Sequence, residues 1–221
     1  MNKPKIALFH HQPECSIECC NGIIRALSPQ YDIKLFHVDD DINEVLSNVD
    51  GVFFPGGIGD SDSYHDFFTR RKANAIADFI ARGGRYVGIC MGAYWAGSRY
   101  FDLLDKVDAV QYIKRETSEI RRSYGTIAQV KWNRHKPDQS TELMFFYDGC
   151  TFVGDGEYEL VATYLNNNPM AIIQGNIGLI GCHPESEEFW YEAPYQYIGR
   201  YWHNGKHHSL LLDFVNKLMD R

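Results

Sequence analysis

The sequence predicts an α/β fold built on an open parallel sheet, with an antiparallel excursion over about residues 106–175. Three observations lead there. Between Lys5 and Gly97, apolar runs alternate with amphipathic segments in strand–helix order. Apolar runs end directly in Pro55-Gly56-Gly57, in Cys90 and in Cys182-His183-Pro184-Glu185, and sites in open α/β sheets form at such carboxyl ends. After the segment at Cys90, short strand-like runs follow one another through turn-like connections, the pattern of antiparallel pairing.

The elements follow in order. Lys5 to His10 reads as a first strand, and a helix over about Ser16 to Leu27 carries Ile17, Ile23, Ile24 and Leu27 on one face before Ser28-Pro29 stops it. Tyr31 to Val38 alternates as a second strand, and a short helix lies near Ile42 to Ser47. Gly51 to Pro55 is a continuous apolar third strand. The loop Ile58 to Ser63 is rich in Gly, Asp and Ser. A long helix is expected from about His65 to Ala81, ended by Gly83-Gly84. Tyr86 to Ile89 is the fourth strand, and the small residues after Cys90 let a helix begin at once. Val107–Ile113, Thr126–Trp132, Glu142–Tyr147, Tyr158–Leu165 and Met170–Gln174 form the excursion. An apolar strand then resumes at Asn176 and ends at Cys182. Leu210 to Met219 closes the chain as an amphipathic helix. No internal repeat or interdomain linker breaks this order, so residues 1–221 are expected to form a single domain.

Composition narrows the function. A hydrophobic fraction of 44% allows a full core, and a net charge of −7 argues against a dedicated nucleic-acid or membrane-surface protein. The charge is uneven: Lys114 to Lys136 holds seven Lys/Arg against two Glu, which suits a solvated hairpin or a local basic face. The N-terminus lacks an apolar stretch long enough for a signal peptide or a membrane span. A cytoplasmic location is therefore expected, with the six cysteines mostly as free thiols.

The chemistry centres on Gly88-Ile89-Cys90-Met91-Gly92. This is the cysteine form of the nucleophile elbow, in which a nucleophile sits on a strained strand-to-helix turn. Side chains two places either side would collide there, which calls for glycine. The following helix would aim its amides at the sulfur and favour thiolate. The same pentapeptide also suits a buried cysteine in a Gly-rich turn. A cysteine nucleophile needs a base and a group that orients the base. His183 and Glu185 supply both, with Pro184 stiffening the turn between them. In this reading Cys90 attacks a carbonyl, His183 accepts the thiol proton and returns it to the leaving amine, and Glu185 holds His183. The backbone amides of Met91 and Gly57 are the candidate oxyanion donors. Taken singly, Gly56-Gly57 also reads as a plain loop, His183 as a surface histidine, and Glu185 with Glu187 and Glu188 as a solvated helix start.

These motifs together resemble the class I glutamine amidotransferase-like superfamily, and within it the N-terminal domain of eukaryotic-type biotin–protein ligases. The resemblance spans about Lys5 to Glu185. It rests on Pro55-Gly56-Gly57, on Tyr86 to Tyr94 with Ser98, on Phe146-Tyr147-Asp148-Gly149, and on Cys182-His183-Pro184-Glu185. It implies a flavodoxin-like, three-layer α/β/α fold with a mostly parallel central sheet and a Cys90–His183–Glu185 triad. No ligase catalytic domain is present, so ligation does not transfer. Glutamine amidotransferases usually carry Gln four places after the nucleophile; here that place is Tyr94, whose phenol lacks a carboxamide's paired donor and acceptor. The expectation is thus a cysteine-dependent amidohydrolase or amidotransferase-like enzyme acting on a small amide through a thioester. Glutamine as its substrate is placed in doubt. Two alternatives share the sequence: a non-catalytic binding or regulatory module, and a peptidase-like hydrolase. The partners expected are a small-molecule substrate and, where ammonia is released, a synthase or acceptor protein; no cofactor is called for.

Other residues complete the reading. His10, His11, Cys15, Cys19 and Cys20 cluster at the first strand–helix junction, but no C-x-x-C pair occurs, so the loop is expected to line the pocket rather than hold a metal. Glu14 and Gly56 are candidate substrate contacts, with Tyr94. The aromatics from Phe189 to Trp202 suit a pocket cap, a partner surface or plain packing. His207-His208 reads as a solvated segment ahead of the last helix.

Overall fold

The computed structural model describes residues 3–132 and 141–221. Arg134, His135 and Lys136 of the basic stretch lie outside them. The strands are β1 (Lys5–Phe9), β2 (Asp32–Phe36), β3 (Gly51–Phe54), β4 (Arg85–Ile89), β5 (Val107–Gln111), β6 (Thr126–Trp132), β7 (Thr141–Phe146), β8 (Cys150–Gly154), β9 (Glu159–Tyr164), β10 (Pro169–Gln174) and β11 (Ile177–Ile180). The helices are α1 (Ile17–Leu27), α2 (Ile42–Leu46), α3 (Tyr64–Phe67), α4 (Arg70–Ala81), α5 (Met91–Trp95) and α6 (Lys206–Met219).

Nine strands form one mixed sheet in the order β2-β1-β3-β4-β11-β10-β9-β6-β7. The first five are mutually parallel, and β10, β9, β6 and β7 continue antiparallel. Most of the excursion therefore extends the sheet, and among the described residues only β5 and β8 pair separately. Helices cover both faces, as the resemblance implies. On one, Cys20, Ile23, Ala26 and Leu27 of α1 and Leu211, Phe214, Val215 and Leu218 of α6 pack on Ile6, Leu8, Val87 and Ile180. On the other, Ile42 and Leu46 of α2 and Ile76, Phe79 and Ile80 of α4 meet Phe9, Val52, Phe54 and Tyr86. Continuous apolar burial of β3 and β11 on both faces explains their unbroken hydrophobic runs.

Four expectations change. The helix foreseen over His65–Ala81 is interrupted: Phe68 is extended (φ −115°, ψ 95°) and buried among Phe9, Phe54, Tyr64, Trp95 and Phe101. Thr69 then caps α4, accepting from the Lys72 amide. Strand β8, absent from the sequence reading, follows the turn at 147–149 and pairs with β5. The last helix starts at Lys206, behind Gly205 in the left-handed region (φ 83°), rather than at Leu210. His207 is consequently not solvated: it is buried inside α6 with Nε2 3.3 Å from Glu142 Oε2, and His208 Nε2 lies 3.0 Å from the Ser186 carbonyl.

Candidate active site

The carboxyl ends of adjacent strands place the key residues. Strands β3, β4 and β11 are neighbours, with Phe54 opposite Gly88 and Ile89 opposite Ile180. The residues just beyond them, Gly56-Gly57, Cys90 and His183, therefore share one rim. Cys90 adopts φ 50° and ψ −101°, a conformation that costs a non-glycine residue about 1–3 kcal/mol. Its amide donates to Ile180 O at 2.9 Å. The flanking glycines meet the steric demand: a Cβ on Gly88 would lie 2.3 Å from Gly92 O, and one on Gly92 would lie 1.9 Å from Phe54 O. Helix α5 has only five residues, so its dipole is much weaker than a long helix would offer.

His183 and Glu185 form a buried pair. Nδ1 of His183 donates to Glu185 Oε1 at 2.8 Å, and the two residues are 2% and 0% exposed. Neither is the solvated group that the isolated motif also allowed. Burial disfavours charge on His183, but Glu185 first and then the Cys90 and Cys19 sulfurs outweigh it and hold the imidazole pKa well above 6.5. The ring lies against the elbow. A Cβ built on Gly56 would sit 2.5 Å from His183 Cε1 and 3.1 Å from Cys90 Cβ, so the imidazole and Cys90 crowd the same glycine. In this conformation the Cys90 thiol donates to Tyr147 O at 3.4 Å, and His183 Nε2 has no hydrogen-bond partner among the described residues.

Two amides remain for an oxyanion. Neither Gly57 N nor Met91 N has a protein hydrogen-bond partner among the described residues. Gly57 is pressed onto the Pro13–Glu14 backbone, where a Cβ would come within 2.1 Å of Glu14 O, and the neighbouring Ile58 amide donates to Pro13 O at 3.0 Å. Glu14 is buried, accepting from His11 Nδ1 at 2.8 Å and Ser63 Oγ at 3.0 Å, so its carboxylate braces the loop 57–63. Tyr94 also braces a loop: its hydroxyl donates to Asp148 O and Gly149 O at 3.0 and 3.1 Å, holding the turn that accepts the Cys90 thiol.

Two adjoining cavities open here. One of about 530 Å³ is lined by Cys90, Met91, Tyr94, Arg99, Lys114 and Asp148, among others. One of about 290 Å³ is lined by His183, Cys19, Phe145, Trp190 and Tyr195. Gly57, Ile58 and Tyr147 border both. Of the aromatic segment, Phe189, Trp190 and Tyr195 thus wall the smaller cavity, while Tyr191 packs on Phe145.

Helix α1 supplies two contributors: Cys19, which lines the smaller cavity as expected of its cluster, and Gly22, which sequence reasoning missed. Cys19 brings its sulfur to within 4.8 Å of an imidazole nitrogen of His183 and a carboxylate oxygen of Glu185, the three atoms mutually that close. Gly22 lets the helix touch the Glu185 backbone. The spacing of Cys19 and Gly22, three places apart on one face of α1, was the available signal, while Cys15 lies ahead of the helix and pairs with His11. All six cysteines are free, and burial pushes five thiols up: Cys19 to about 11, Cys20 and Cys182 to about 12, Cys15 and Cys150 further.

The architecture is the class I glutamine amidotransferase-like (flavodoxin-like) fold. Residues 11–116 match the family described as "Biotin-protein ligase, N terminal". A glutamine amidotransferase of Thermotoga maritima superposes with a TM-score of 0.67 at 13% identity, covering 100% of both chains. A second glutamine amidotransferase structure gives 0.64 at 15%, over 98% of this chain and 99% of that one. The glutamine amidotransferase of Methylobacillus flagellatus gives 0.62 at 10%, over 99% and 93%. At these identities the likeness establishes the fold. No match is found among curated proteins. No helix among the described residues is long and apolar enough to cross a membrane.

Proposed function

We propose that the protein is a cysteine-dependent amidohydrolase or amidotransferase-like enzyme that acts on a small C–N substrate through a thioester. One arrangement carries this reading: the strained Cys90, crowded with the buried His183–Glu185 pair against Gly56, beside the unpartnered amides of Gly57 and Met91. The Cys90 sulfur attacks the substrate carbonyl and its proton passes to His183. The oxyanion is met by the two amides, and loss of one such donor typically costs about 10²- to 10³-fold in rate. Collapse of the adduct breaks the C–N bond, and His183 returns the proton to the leaving nitrogen. Water activated by the same imidazole then cleaves the thioester and restores the thiol. Glu185 keeps Nδ1 protonated and stabilises the imidazolium. A cavity of about 530 Å³ falls within the range for small molecules and favours them over an extended polypeptide.

A second reading has its own support. The thiol bonds to Tyr147 O and not to His183 Nε2, and Tyr94 is engaged with backbone, an arrangement suited to a module that keeps the fold and binds without turnover. Iodoacetamide labelling against pH separates the two. Selective alkylation of Cys90 well below about pH 8.5 supports the enzyme, and uniform slow labelling of all six thiols supports the module. In an amide screen followed by mass spectrometry, the enzyme should accumulate an acyl adduct on Cys90. Hydrolysis that persists in Cys90→Ala would remove Cys90 from the mechanism.

A further inference from the structure

We propose that Cys19, His183 and Glu185 form a binding site for a thiophilic divalent cation of the zinc type, and that the cation holds the enzyme inactive. A sulfur, an imidazole nitrogen and a carboxylate oxygen lie within 4.8 Å of one another, from residues that are 3%, 2% and 0% exposed. These are the three donor types zinc accepts. At Zn–S of about 2.3 Å and Zn–N and Zn–O of about 2.0–2.2 Å, tetrahedral ligand atoms stand about 3.3–3.6 Å apart. The cluster therefore closes on an ion by moving its atoms about 1 Å.

The second observation is unspent bonding capacity. Glu185 Oε2, on the carboxylate whose other oxygen accepts from His183 Nδ1, is buried without a partner among the described residues. A buried carboxylate oxygen with no donor is unfavourable, so a cation at this point supplies the positive partner it lacks. An approach path exists: Cys19 and His183 line the 290 Å³ cavity together, and Glu18 adds an acid to its wall. The ion replaces the Cys19 thiol proton, which leaves to solvent, and takes the Nδ1 position of His183, whose proton passes to Nε2; a water from the cavity takes the fourth position.

The binding claim stands on the cluster itself. The inhibitory consequence rests on the thiol chemistry proposed above, since a metal-held His183 cannot accept the Cys90 proton. The test titrates the full chain with Co²⁺ as a spectroscopic probe, then with Zn²⁺ in competition against a chromophoric chelator. The wild type should bind one ion and show thiolate-to-cobalt charge-transfer absorption. Cys19→Ser should lose that band and bind at least about tenfold more weakly, a loss that even outer-shell partners can cause. Cys90→Ala should keep both, whatever the fate of the catalytic reading. Glu185→Gln provides a second weakened variant if Cys19→Ser does not fold. An unchanged band in Cys19→Ser, no binding by the wild type, or loss in Cys90→Ala with retention in Cys19→Ser would overturn the proposal.

Discussion

Gly22→Ala tests how tightly α1 is seated on the triad loop. A Cβ at this position would stand 2.1 Å from the Glu185 carbonyl oxygen, 3.0 Å from its carbon and 3.2 Å from its Cβ, whereas ordinary contact begins at 3.4 Å. The helix must retreat by about 1.3 Å, or the loop must yield. A backbone carbonyl cannot swing aside as a side-chain tip does, and this one follows directly on Pro184. Overpacking of this kind typically costs about 1–3 kcal/mol. Against it stands the gain of about 0.8–1.0 kcal/mol for replacing glycine in a helix interior. A 2.1 Å approach to a rigid backbone atom puts the cost in the upper part of the overpacking range, about 2–3 kcal/mol, so the clash wins by a net of about 1–2 kcal/mol. At roughly 2–4 °C per kcal/mol for a chain of this size, the melting temperature should fall by about 2–8 °C. Displacement of Glu185 should also stretch its 2.8 Å bond to His183 and slow Cys90-dependent acylation. Thermal melting and urea unfolding read the first effect. A melting temperature that is unchanged or raised would mean that helix propensity dominates and that α1 is not pinned to the loop.

Three further outcomes are expected. Cys90→Gly should be more stable than Cys90→Ala by about 1–3 kcal/mol in urea unfolding, because only glycine accepts φ 50°, ψ −101° without strain; equal stabilities would refute a strained elbow. His183 has a native pKa held well above 6.5, so its charged form contributes stability that is fully present below pH 6.5 and lost as pH rises through the native value. Glu185→Gln should flatten that decline, and parallel urea midpoints in the two proteins above pH 6.5 would contradict it. His203 is lowered to about 3 by burial and by His207 and His208, and His207 to about 4 by burial, Lys206 and His208. These groups stay neutral while the unfolded chain takes up protons, so stability should drop as pH falls from 6.5 towards 4, less steeply in His203→Gln; a flat profile would refute the assignment.

The parallel half of the sheet and the rim at Cys90 were legible because their signals are local. A glycine pair around a cysteine reports a steric demand made within five residues, and doubly buried strands show as unbroken apolar runs. What was hidden depends on contacts between distant segments. Phe68 breaks a helix because an aromatic cluster from β1, β3, α3 and α5 with Phe101 receives it, and no periodicity reveals that. Strand β8 is short, follows a turn, and is recognised through its partner β5. His207 looks like a polar lead-in until Glu142 of β7 is brought to it. Cys19 and Gly22 advertise a small-residue face on α1, but only the fold shows that this face meets Glu185. Glu14 and Tyr94, expected by position as ligand contacts, also hold loops, which only the folded chain reveals, and Tyr94 lines the larger cavity as well.

The neighbours β4 and β11 are about 90 residues apart along the chain, although Gly88 pairs with Leu179. Closing a loop of that length costs about 4 kcal/mol by chain statistics, before any contact repays it. Helical and hairpin pieces on either side can form earlier and cheaply, so the nucleophile and its imidazole should meet only near the end of folding. On the proposed thiol mechanism, a nascent or partly unfolded chain is therefore idle until almost the whole molecule is in place.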